Sequence, residues 1–222
     1  MRLQGSEIEA VFFDLDGTLV DSAADLIAAM NRLRQELGES PLDLAAVGDV
    51  VSKGGRAMLR RGFPGADETR IDALLPRFLQ LYSEGIVVHT RTFPGIDAVL
   101  AQFESRGIRW GIVTNKPGWL ARAVVAELKL AGRSAALVSG DCLPRRKPDP
   151  APLLHACVLA GVAPARSVYV GDDMRDIEAG RDAGMMTVAA GWGYLNGEDP
   201  QDWRADSVVA RPADLLEALG LD

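Results

Sequence analysis

The sequence predicts an α/β fold in which a doubly wound parallel sheet carries an inserted all-helical domain. An apolar run at Ala10–Phe13 ends abruptly at the acids Asp14 and Asp16, as a buried strand of a parallel sheet does. Residues 21–91 show helical spacing and no strand pattern, whereas strand and helix patterns alternate after residue 92. Such alternation is typical of a parallel sheet with helices on both faces.

The overall composition is that of a folded protein in a reducing compartment. The 222 residues correspond to one large domain or two small ones, with 48% hydrophobic and 25% charged residues. The net charge of −7 argues against nucleic acid or an anionic membrane as the partner. Cys142 and Cys157 lack the spacing of a metal site, so we expect reduced cysteines in a cytoplasmic protein. Residues 1–9 contain no apolar signal core, and the sequence has no apolar run of about 18 residues.

The insert begins at Ser22 and Asp25, whose spacing predicts a capping box with Asp in place of the usual Glu or Gln. Apolar residues then recur at helical spacing as far as Leu37. Beyond it the pattern predicts a short helix at 41–51 and a loop at 52–55. A helical turn is predicted at 56–61 and one long helix at 71–82. Pro76 lies inside the long helix without breaking its phase, so we expect a kink there.

The alternating part of the sequence predicts the rest of the sheet and its covering helices. Strands are predicted at 109–113, 135–139, 167–170, 187–190 and 206–209. Helices are predicted at 96–106, 119–129, 150–160, 176–183 and 214–219. Asp149 and Pro150 supply an N-cap and a first-turn proline to the third of these helices. We therefore divide the chain into a core, residues 1–20 and 92–222, and a helical cap, residues 21–91.

Four strand ends of the predicted sheet carry reactive side chains. These are acids, a hydroxyl, an amide and an ammonium group: Asp14 and Asp16; Thr114 and Asn115; Lys147; and Asp172, Asp173 and Asp176. Each motif is weak alone, since a threonine or a Gly-Asp-Asp sequence after a strand is often only a cap or a turn. Because the carboxyl ends of parallel strands meet at one edge of the sheet, we expect the four loops to converge on one cleft.

These residue types together indicate phosphoryl transfer. Carboxylates with a divalent cation neutralise a phosphate, and the Thr114 hydroxyl and the Lys147 ammonium complete the cradle. A Ser-His-Asp set is lacking, because both histidines of the sequence lie outside the strand-end motifs. The sequence therefore predicts Asp14 as a nucleophile that forms an aspartyl phosphate. Asp16 would protonate the leaving oxygen and then accept a proton from the attacking water.

The motifs resemble those of the haloacid dehalogenase superfamily of aspartate-nucleophile phosphatases. The four motifs of that superfamily match residues 14–18, Thr114, Lys147 and residues 171–173, in that order. The insert at 21–91 looks like the small helical cap of the family. The likeness covers nearly the whole chain and implies a Rossmann-like catalytic core under the cap.

The resemblance also implies a cofactor and roles for the site residues. It implies Mg²⁺ held by Asp14, the backbone carbonyl of Asp16, and Asp172. Support for the metal shell would come from Asp173 or Asp176. By the same resemblance, the phosphoryl group is bound by Thr114 and Lys147.

Two branches of the superfamily are similar to this chain. Residues 113–117 and 170–180 resemble bacterial phosphoglycolate phosphatases. A second branch, similar to the N-acetylmuramate 6-phosphate phosphatases of cell-wall recycling, is resembled by residues 56–58, His89 and residues 193–203. Both branches imply a small phosphorylated metabolite that carries a carboxylate.

Substrate choice would fall to the cap, since the core motifs bind only the phosphoryl group. We expect Lys53, Arg56 and His89 to face the cleft and bind a substrate carboxylate or sugar, and Asn115 to contact the substrate beside Thr114. Lys53 and Arg56 are equally well explained as solvated surface charges. We expect no nucleic-acid or membrane partner, and the chain would be a monomer or a homodimer.

Related activities remain as alternatives. Asp16 argues against a dehalogenase, which needs no second aspartate. It also argues against a phosphonate hydrolase, whose pattern lacks that aspartate although Lys53 could serve as its cap lysine. A sugar-phosphate mutase shares every core residue and stays open. A non-enzymatic phospho-receiver module also uses clustered Asp, Thr and Lys, but the helical insert speaks against it.

Overall fold

The computed structural model describes residues 5–43 and 48–221. Its strands are β1 (Ala10–Phe13), β2 (Val20–Asp21), β3 (Arg91–Thr92), β4 (Arg109–Val113), β5 (Leu137–Val138), β6 (Ser167–Gly171), β7 (Met186–Ala190) and β8 (Ser207–Val209). Six of them form one parallel sheet in the order β5-β4-β1-β6-β7-β8. The predicted α/β class with a doubly wound parallel sheet is confirmed.

Eight α-helices accompany the strands in the described ranges. They are α1 (Ala23–Glu36), α2 (Gly55–Gly62), α3 (Glu68–Glu84), α4 (Ile96–Ser105), α5 (Gly118–Glu127), α6 (Ala151–Ala160), α7 (Met174–Asp182) and α8 (Leu215–Ala218). Short 3-10 helices lie at Gly5–Glu7, Gly48–Lys53, Pro164–Arg166, Pro200–Trp203 and Pro212–Asp214. None of the helices in residues 5–43 and 48–221 is both long enough and apolar enough to cross a lipid bilayer.

The central strand β1 fixes where the acids emerge. Its side chains alternate between two apolar clusters, with Val11 and Phe13 on one face of the sheet and Ala10 and Phe12 on the other. Phe13, the last residue of β1, is in register with the penultimate residues of both neighbours, Ile112 of β4 and Val170 of β6. Residues that follow these three strands therefore leave the sheet at the same edge.

The cap buries an apolar cluster of its own. Met30, Met58, Phe78 and Tyr82 from α1, α2 and α3 pack in this cluster, together with Leu120 of α5. Each of them is at most 1% exposed. A cluster separate from those of the sheet supports the division at residues 21–91, which stays a prediction.

The two chain crossings between core and cap pair as strands. Val20 lies opposite Thr92 and Asp21 opposite Arg91 in the antiparallel pair β2–β3. The prediction that residues 21–91 are helical throughout was therefore wrong at both ends. A short extended segment on each crossing allows backbone hydrogen bonds that a helix there would not make.

Local predictions in the cap were partly wrong. The predicted capping box is absent, because the Ser22 hydroxyl donates to Asp16 Oδ1 (2.6 Å) and makes no cap hydrogen bond. Asp25 instead accepts the backbone N–H groups of His89 and Thr90 on the second crossing. The predicted helix at 41–51 includes residues 44–47, which lie outside the described residues, and residues 48–53 form a 3-10 helix. The predicted long helix is a single helix through Pro76.

Candidate active site

Three carboxylates meet at the carboxyl edge of the sheet. Asp14 follows β1, Asp172 follows β6, and Asp176 lies in the first turn of α7. All three are buried, and one oxygen from each lies within 4.8 Å of the others. Asp14 is held in place by its backbone N–H, which donates to Val170 O (2.9 Å), and by Leu15 N–H, which donates to Asp14 Oδ1 (2.7 Å).

Crowding and burial raise the pKa values of two of these acids. Burial, and then the charges of Asp14 and Asp176, raise the pKa of Asp172 well above its ordinary value. Burial raises the pKa of Asp176 to about 7, with Lys147 opposing the shift and Asp14 adding to it. A divalent cation relieves such repulsion, and an all-oxygen donor set suits Mg²⁺. The residues present therefore fit a hard divalent cation.

A cap hydroxyl reaches the same acids. Ser52 Oγ donates to Asp172 Oδ2 (2.6 Å) and lies 3.3 Å from the backbone carbonyl oxygen of Asp16. The Ser52 hydroxyl thus bridges the backbone carbonyl of Asp16 and the Asp172 carboxylate. Gly17, with φ of +84°, makes this approach feasible, since a Cβ there would overlap the Asp172 carboxylate.

Lys147 is the ammonium group of the cluster. Its Nζ lies 3.0 Å from Asp14 Oδ1 and 2.7 Å from Asp176 Oδ1, and donates to Tyr169 OH (2.8 Å). Burial disfavours its charged form, but Asp14 and Asp176 outweigh burial and raise the pKa of Lys147. Asn115 holds the Lys147 backbone with both groups of its amide, at 3.0 and 3.1 Å. Asn115 is thus engaged in positioning the lysine loop.

Asp16 is paired with a lysine that sequence reasoning missed. Lys116 Nζ donates to both carboxylate oxygens of Asp16, each at 2.9 Å, and to Tyr82 OH at 3.0 Å. Lys116 lies two residues after Thr114, whose hydroxyl accepts from the Lys116 backbone N–H (3.2 Å). The signal that could have found it is a lysine in the same strand-end loop as a predicted phosphate ligand.

Asp173 forms ion pairs with Arg175 and Lys53 and is not part of the cluster of Asp14, Asp172 and Asp176. Its carboxylate caps α7 and is bound by Arg175 (2.8 Å) and by Lys53 of the cap (3.0 Å). Burial favours the neutral acid, but the hydrogen bonds from Arg175 and Lys53 outweigh burial and lower the pKa of Asp173 to about 2. Of the two predicted supporting acids, Asp176 lies in the cluster of three and Asp173 ties the cap to α7.

The three predicted cap contacts lie in different environments. Lys53 lines the cleft while paired with Asp173 and Glu198. Arg56 also lines the cleft and is paired with Asp72, its side chain 48% exposed. His89 is exposed on the second crossing and is absent from the residues that line the cleft. The structure brings Lys53 and Arg56, but not His89, to the mouth of the site.

Core and cap enclose a cleft of about 390 Å³. Its polar floor comes from the core: Asp14, Asp16, Thr114, Asn115, Lys116, Arg146, Lys147 and Arg175. Its apolar wall comes mainly from the cap: Leu26, Val51, Met58, Leu75, Phe78, Leu79 and Tyr82. A phosphate would fit against the floor, and the rest of a substrate would contact the wall.

Comparison with known proteins agrees with this arrangement. Residues 11–190 match the model of the haloacid dehalogenase-like hydrolase family. The chain belongs to the haloacid dehalogenase-like hydrolase family. The predicted resemblance is confirmed.

Two relatives that match this chain over nearly their full length are named phosphatases. A phosphoglycolate phosphatase of Xanthomonas campestris is 47% identical over 209 residues, which cover 94% of this chain and 95% of the relative. An N-acetylmuramic acid 6-phosphate phosphatase of Pseudomonas aeruginosa is 44% identical over 214 residues, 96% of this chain and 95% of the relative. This haloacid dehalogenase-like hydrolase is therefore a phosphatase of the phosphoglycolate phosphatase-like type, and the receiver-module alternative is set aside.

Solved structures support the fold. The crystal structure of a predicted phosphoglycolate phosphatase from Haemophilus somnus superposes with a TM-score of 0.85 at 24% identity, covering 96% of this chain and 98% of that one. A haloacid dehalogenase-like family hydrolase from Streptococcus pneumoniae gives a TM-score of 0.83 at 22% identity, covering 96% and 99%. These likenesses concern the fold.

Proposed function

We propose that the chain is a Mg²⁺-dependent phosphomonoester hydrolase that works through an aspartyl phosphate on Asp14. The observation that carries the proposal is the position of the Asp14 carboxylate, which lines the cleft, contacts the Lys147 ammonium and belongs to one cluster with the acids Asp172 and Asp176. A carboxylate beside a fixed ammonium and a cation site can attack a phosphoryl group whose charge is neutralised at the same time.

The proposed reaction has two steps. Asp14 attacks phosphorus, the ester P–O bond breaks, and the leaving oxygen takes a proton from Asp16. Water then attacks the aspartyl phosphate and gives a proton to Asp16, which releases inorganic phosphate and restores the Asp14 carboxylate. Thr114 and Lys147 would bind phosphoryl oxygens throughout, as both line the cleft beside Asp14.

The proposed metal ligands are Asp14, the backbone carbonyl of Asp16, and Asp172. Asp176 would hold Lys147 and support the metal shell, since its carboxylate touches that lysine and belongs to the same cluster. When bound, Mg²⁺ would withdraw charge from the phosphoryl oxygens. The oxygen-only donors and the raised pKa of Asp172 support this choice of ion.

The proposed substrate is phosphoglycolate or a similar carboxylate-bearing monoester. Phosphoglycolate is the substrate named for the Xanthomonas campestris relative. Lys53, Arg56 and Arg146 surround the cleft and would attract a second negative group on the substrate. Asn115 and His89 are weaker candidates, since the Asn115 amide is engaged on Lys147 and His89 is exposed on the second crossing.

N-acetylmuramate 6-phosphate is the second candidate, and the size of the cleft favours it. A volume of about 390 Å³ is within the range of roughly 300 to 1,000 Å³ typical of pockets for drug-sized ligands. A two-carbon acid leaves most of this space unfilled. The apolar wall from Val51 to Leu79 would suit the acetyl and lactyl groups of a sugar acid.

Purified protein should be assayed for phosphate release from both esters and from p-nitrophenyl phosphate, with and without Mg²⁺. The proposal requires release of inorganic phosphate that stops when the metal is chelated. The ratio of kcat/KM for the two carboxylate esters decides between the candidates. Accumulation of a bisphosphate instead of phosphate would indicate the mutase alternative, and metal-independent turnover would overturn the proposed mechanism.

The proposed setting is the cytoplasm, with a small metabolite as partner. Both cysteines, Cys142 and Cys157, are free thiols, which suits a reducing compartment. The net charge of −7 suits neither nucleic acid nor an anionic membrane. A monomer or a homodimer stays the expectation for the assembly.

A further inference from the structure

Ser52 of the cap contacts two of the proposed metal ligands with a single atom. It belongs to the 3-10 helix Gly48–Lys53. Its Oγ lies 2.6 Å from Asp172 Oδ2 and 3.3 Å from the backbone carbonyl oxygen of Asp16. All three atoms are oxygens, and the Ser52 hydroxyl brings the one proton among them. Because that proton serves the shorter contact, to Asp172, the Asp16 carbonyl oxygen faces a second oxygen with no proton between them.

The Asp16 carbonyl oxygen has no better partner. Among the described residues, the long contact to Ser52 Oγ is its only hydrogen-bond contact. Asp172 is better supplied, because its carboxylate also accepts from Thr18 Oγ1 (2.9 Å) and from Tyr194 N–H (2.8 Å) in the core. An under-satisfied carbonyl oxygen beside a carboxylate can be satisfied by a cation that both groups bind.

The spacing of the three oxygens suits the coordination of one Mg²⁺ ion. Octahedral Mg²⁺ binds oxygens at about 2.0–2.1 Å, so neighbouring ligand atoms lie about 2.9 Å apart. The two contacts of Ser52 Oγ, at 2.6 and 3.3 Å, lie on either side of that value. Gly17 keeps this space free, since a Cβ there would overlap both Asp172 Oδ2 and Ser52 Oγ. Serine and threonine hydroxyls are Mg²⁺ ligands in P-loop enzymes, so a hydroxyl oxygen is a suitable donor.

The core holds the Ser52 segment against the site. Arg175 Nη2 donates to the backbone carbonyl of Ser52 (2.8 Å). The next residue, Lys53, places its Nζ 3.0 Å from Asp173 Oδ2. Ser52 is therefore fixed by its own backbone and by its neighbour, and its hydroxyl needs little further ordering to bind a cation.

We infer that the Ser52 hydroxyl oxygen is a ligand of the proposed Mg²⁺ ion, supplied by the cap. It joins the ligands that the core offers, Asp14, the Asp16 carbonyl and Asp172, and the inference rests on that proposed metal site. In this role the Ser52 oxygen gives a lone pair to the cation, and its proton no longer serves Asp172. The cap then takes part in metal binding as well as in substrate selection.

A hydrogen bond that the cation merely displaces is the competing explanation, and it makes the opposite prediction. If Ser52 only competes with Mg²⁺ for Asp172, removal of the hydroxyl leaves Mg²⁺ binding unchanged or makes it tighter. If Ser52 is a ligand, the same change weakens Mg²⁺ binding. The direction of the change in Kd therefore decides between them.

The test measures metal binding instead of turnover. Mg²⁺ is titrated into the full-length, chelator-treated protein, and Kd is measured by isothermal titration calorimetry. Ser52→Ala should raise the Kd about 10-fold. Ser83→Ala is the matched control, because the Ser83 hydroxyl donates to Gln80 O on cap helix α3 and does not line the cleft. Its Kd should stay within about 2-fold of wild type, and circular dichroism checks that each variant is folded.

Ser52→Cys changes the proposed ligand instead of deleting it. A thiolate prefers soft cations, so this variant should bind Mg²⁺ more weakly than the wild type and Cd²⁺ at least about 10-fold more tightly. The Cd–thiolate absorption in the ultraviolet should appear in Ser52→Cys and exceed that of Ser83→Cys, which carries the same extra thiol elsewhere on the cap. Both variants keep Cys142 and Cys157, so the comparison isolates the new thiol. An unchanged or lower Mg²⁺ Kd in Ser52→Ala, or no added Cd–thiolate absorption in Ser52→Cys, would overturn the inference.

Asp172→Asn separates this inference from the proposed function. A wild-type protein that binds no Mg²⁺, or an Asp172→Asn variant that binds it as tightly as the wild type, would overturn the proposed metal site itself. If Asp172→Asn loses Mg²⁺ binding while Ser52→Ala keeps the wild-type Kd, the proposed site stands and only the role of Ser52 is wrong.

Discussion

The two sides of the cleft are built in different ways. On the core side, charged groups are buried and paired with one another, and the side chain of Lys147 is 2% exposed between Asp14 and Asp176. On the cap side, the wall is apolar and the charges are at its rim. There the side chain of Arg56 is 48% exposed and that of Lys53 is 27% exposed.

This difference assigns catalysis to the core and substrate selection to the cap. The core groups follow strands of one sheet, so their spacing is fixed by the backbone and needs no adjustment when a substrate binds. Arg56 is partly solvated and paired with the exposed Asp72, so it can exchange partners at little cost, whereas Lys53 is also bound to the buried Asp173. Changes on the core side should therefore affect every ester alike, whereas changes at the cap rim should affect esters selectively.

The largest effect is expected at Asp14. Asp14→Asn removes the attacking oxygen and a metal ligand, so turnover of p-nitrophenyl phosphate should fall by roughly 10⁴- to 10⁶-fold. The variant should stay folded, because the amide oxygen can still accept from Leu15 N–H. Asp182→Asn, the same replacement at an exposed acid of the core, should change turnover by less than about 2-fold. A folded Asp14→Asn protein with activity within about 100-fold of wild type would exclude Asp14 as nucleophile.

The next largest effect is expected from removal of the buried Lys147 ammonium group. Lys147→Met leaves Asp14 and Asp176 without their cation, and breaking a buried ion pair from one side costs about 3 kcal/mol of unfolding free energy. Urea unfolding of chelator-treated protein, followed by circular dichroism, measures this loss. Lys129→Met is the control, because Lys129 is exposed. A loss below about 1 kcal/mol would mean that protonation of the acids compensates fully for the lysine.

Metal binding should stabilise the protein through Asp172. At a Mg²⁺ concentration of about 100 times Kd, the wild type should gain about 2.7 kcal/mol. Asp172→Asn should lose this response. It should also make the metal-free protein more stable, since the raised pKa of Asp172 means that its charge opposes folding at neutral pH. Thermal melting with chelator and with Mg²⁺ tests both; an unchanged Mg²⁺ response would remove Asp172 from the metal site.

The smallest effect is expected at the cap rim. Arg56→Ala should lower kcat/KM about 10-fold for the carboxylate esters and by less than about 2-fold for p-nitrophenyl phosphate. Solvent exposure and the pairing with Asp72 limit the loss. Asp72→Asn is the companion variant, because it frees Arg56 and should preserve or raise the rate on the carboxylate esters. Equal losses on all esters in Arg56→Ala would make Arg56 structural and leave Lys53 as the next candidate.

The sequence by itself determined the fold class and the meeting point of the core groups. An apolar run that ends in acids identifies a buried strand and its carboxyl end from local pattern alone. Parallel sheet geometry then brings Asp14, Thr114, Lys147 and Asp172 to one edge. Those residues could be predicted because strand ends are local features and the sheet supplies the rest.

Only the tertiary structure decided which charges pair. Lys116 and Asp16 are 100 residues apart, and Asp25 and His89 are 64 residues apart. The predicted capping box failed partly for the same reason, since Asp25 accepts the backbone N–H groups of His89 and Thr90, whereas the Ser22 hydroxyl donates to the nearby Asp16. A buried polar group must be satisfied by whatever partner the folded chain brings within hydrogen-bond distance, and the docking of the cap on two crossings sets that distance. Local sequence patterns do not predict how the cap docks on the core, so these contacts could not be predicted from the sequence.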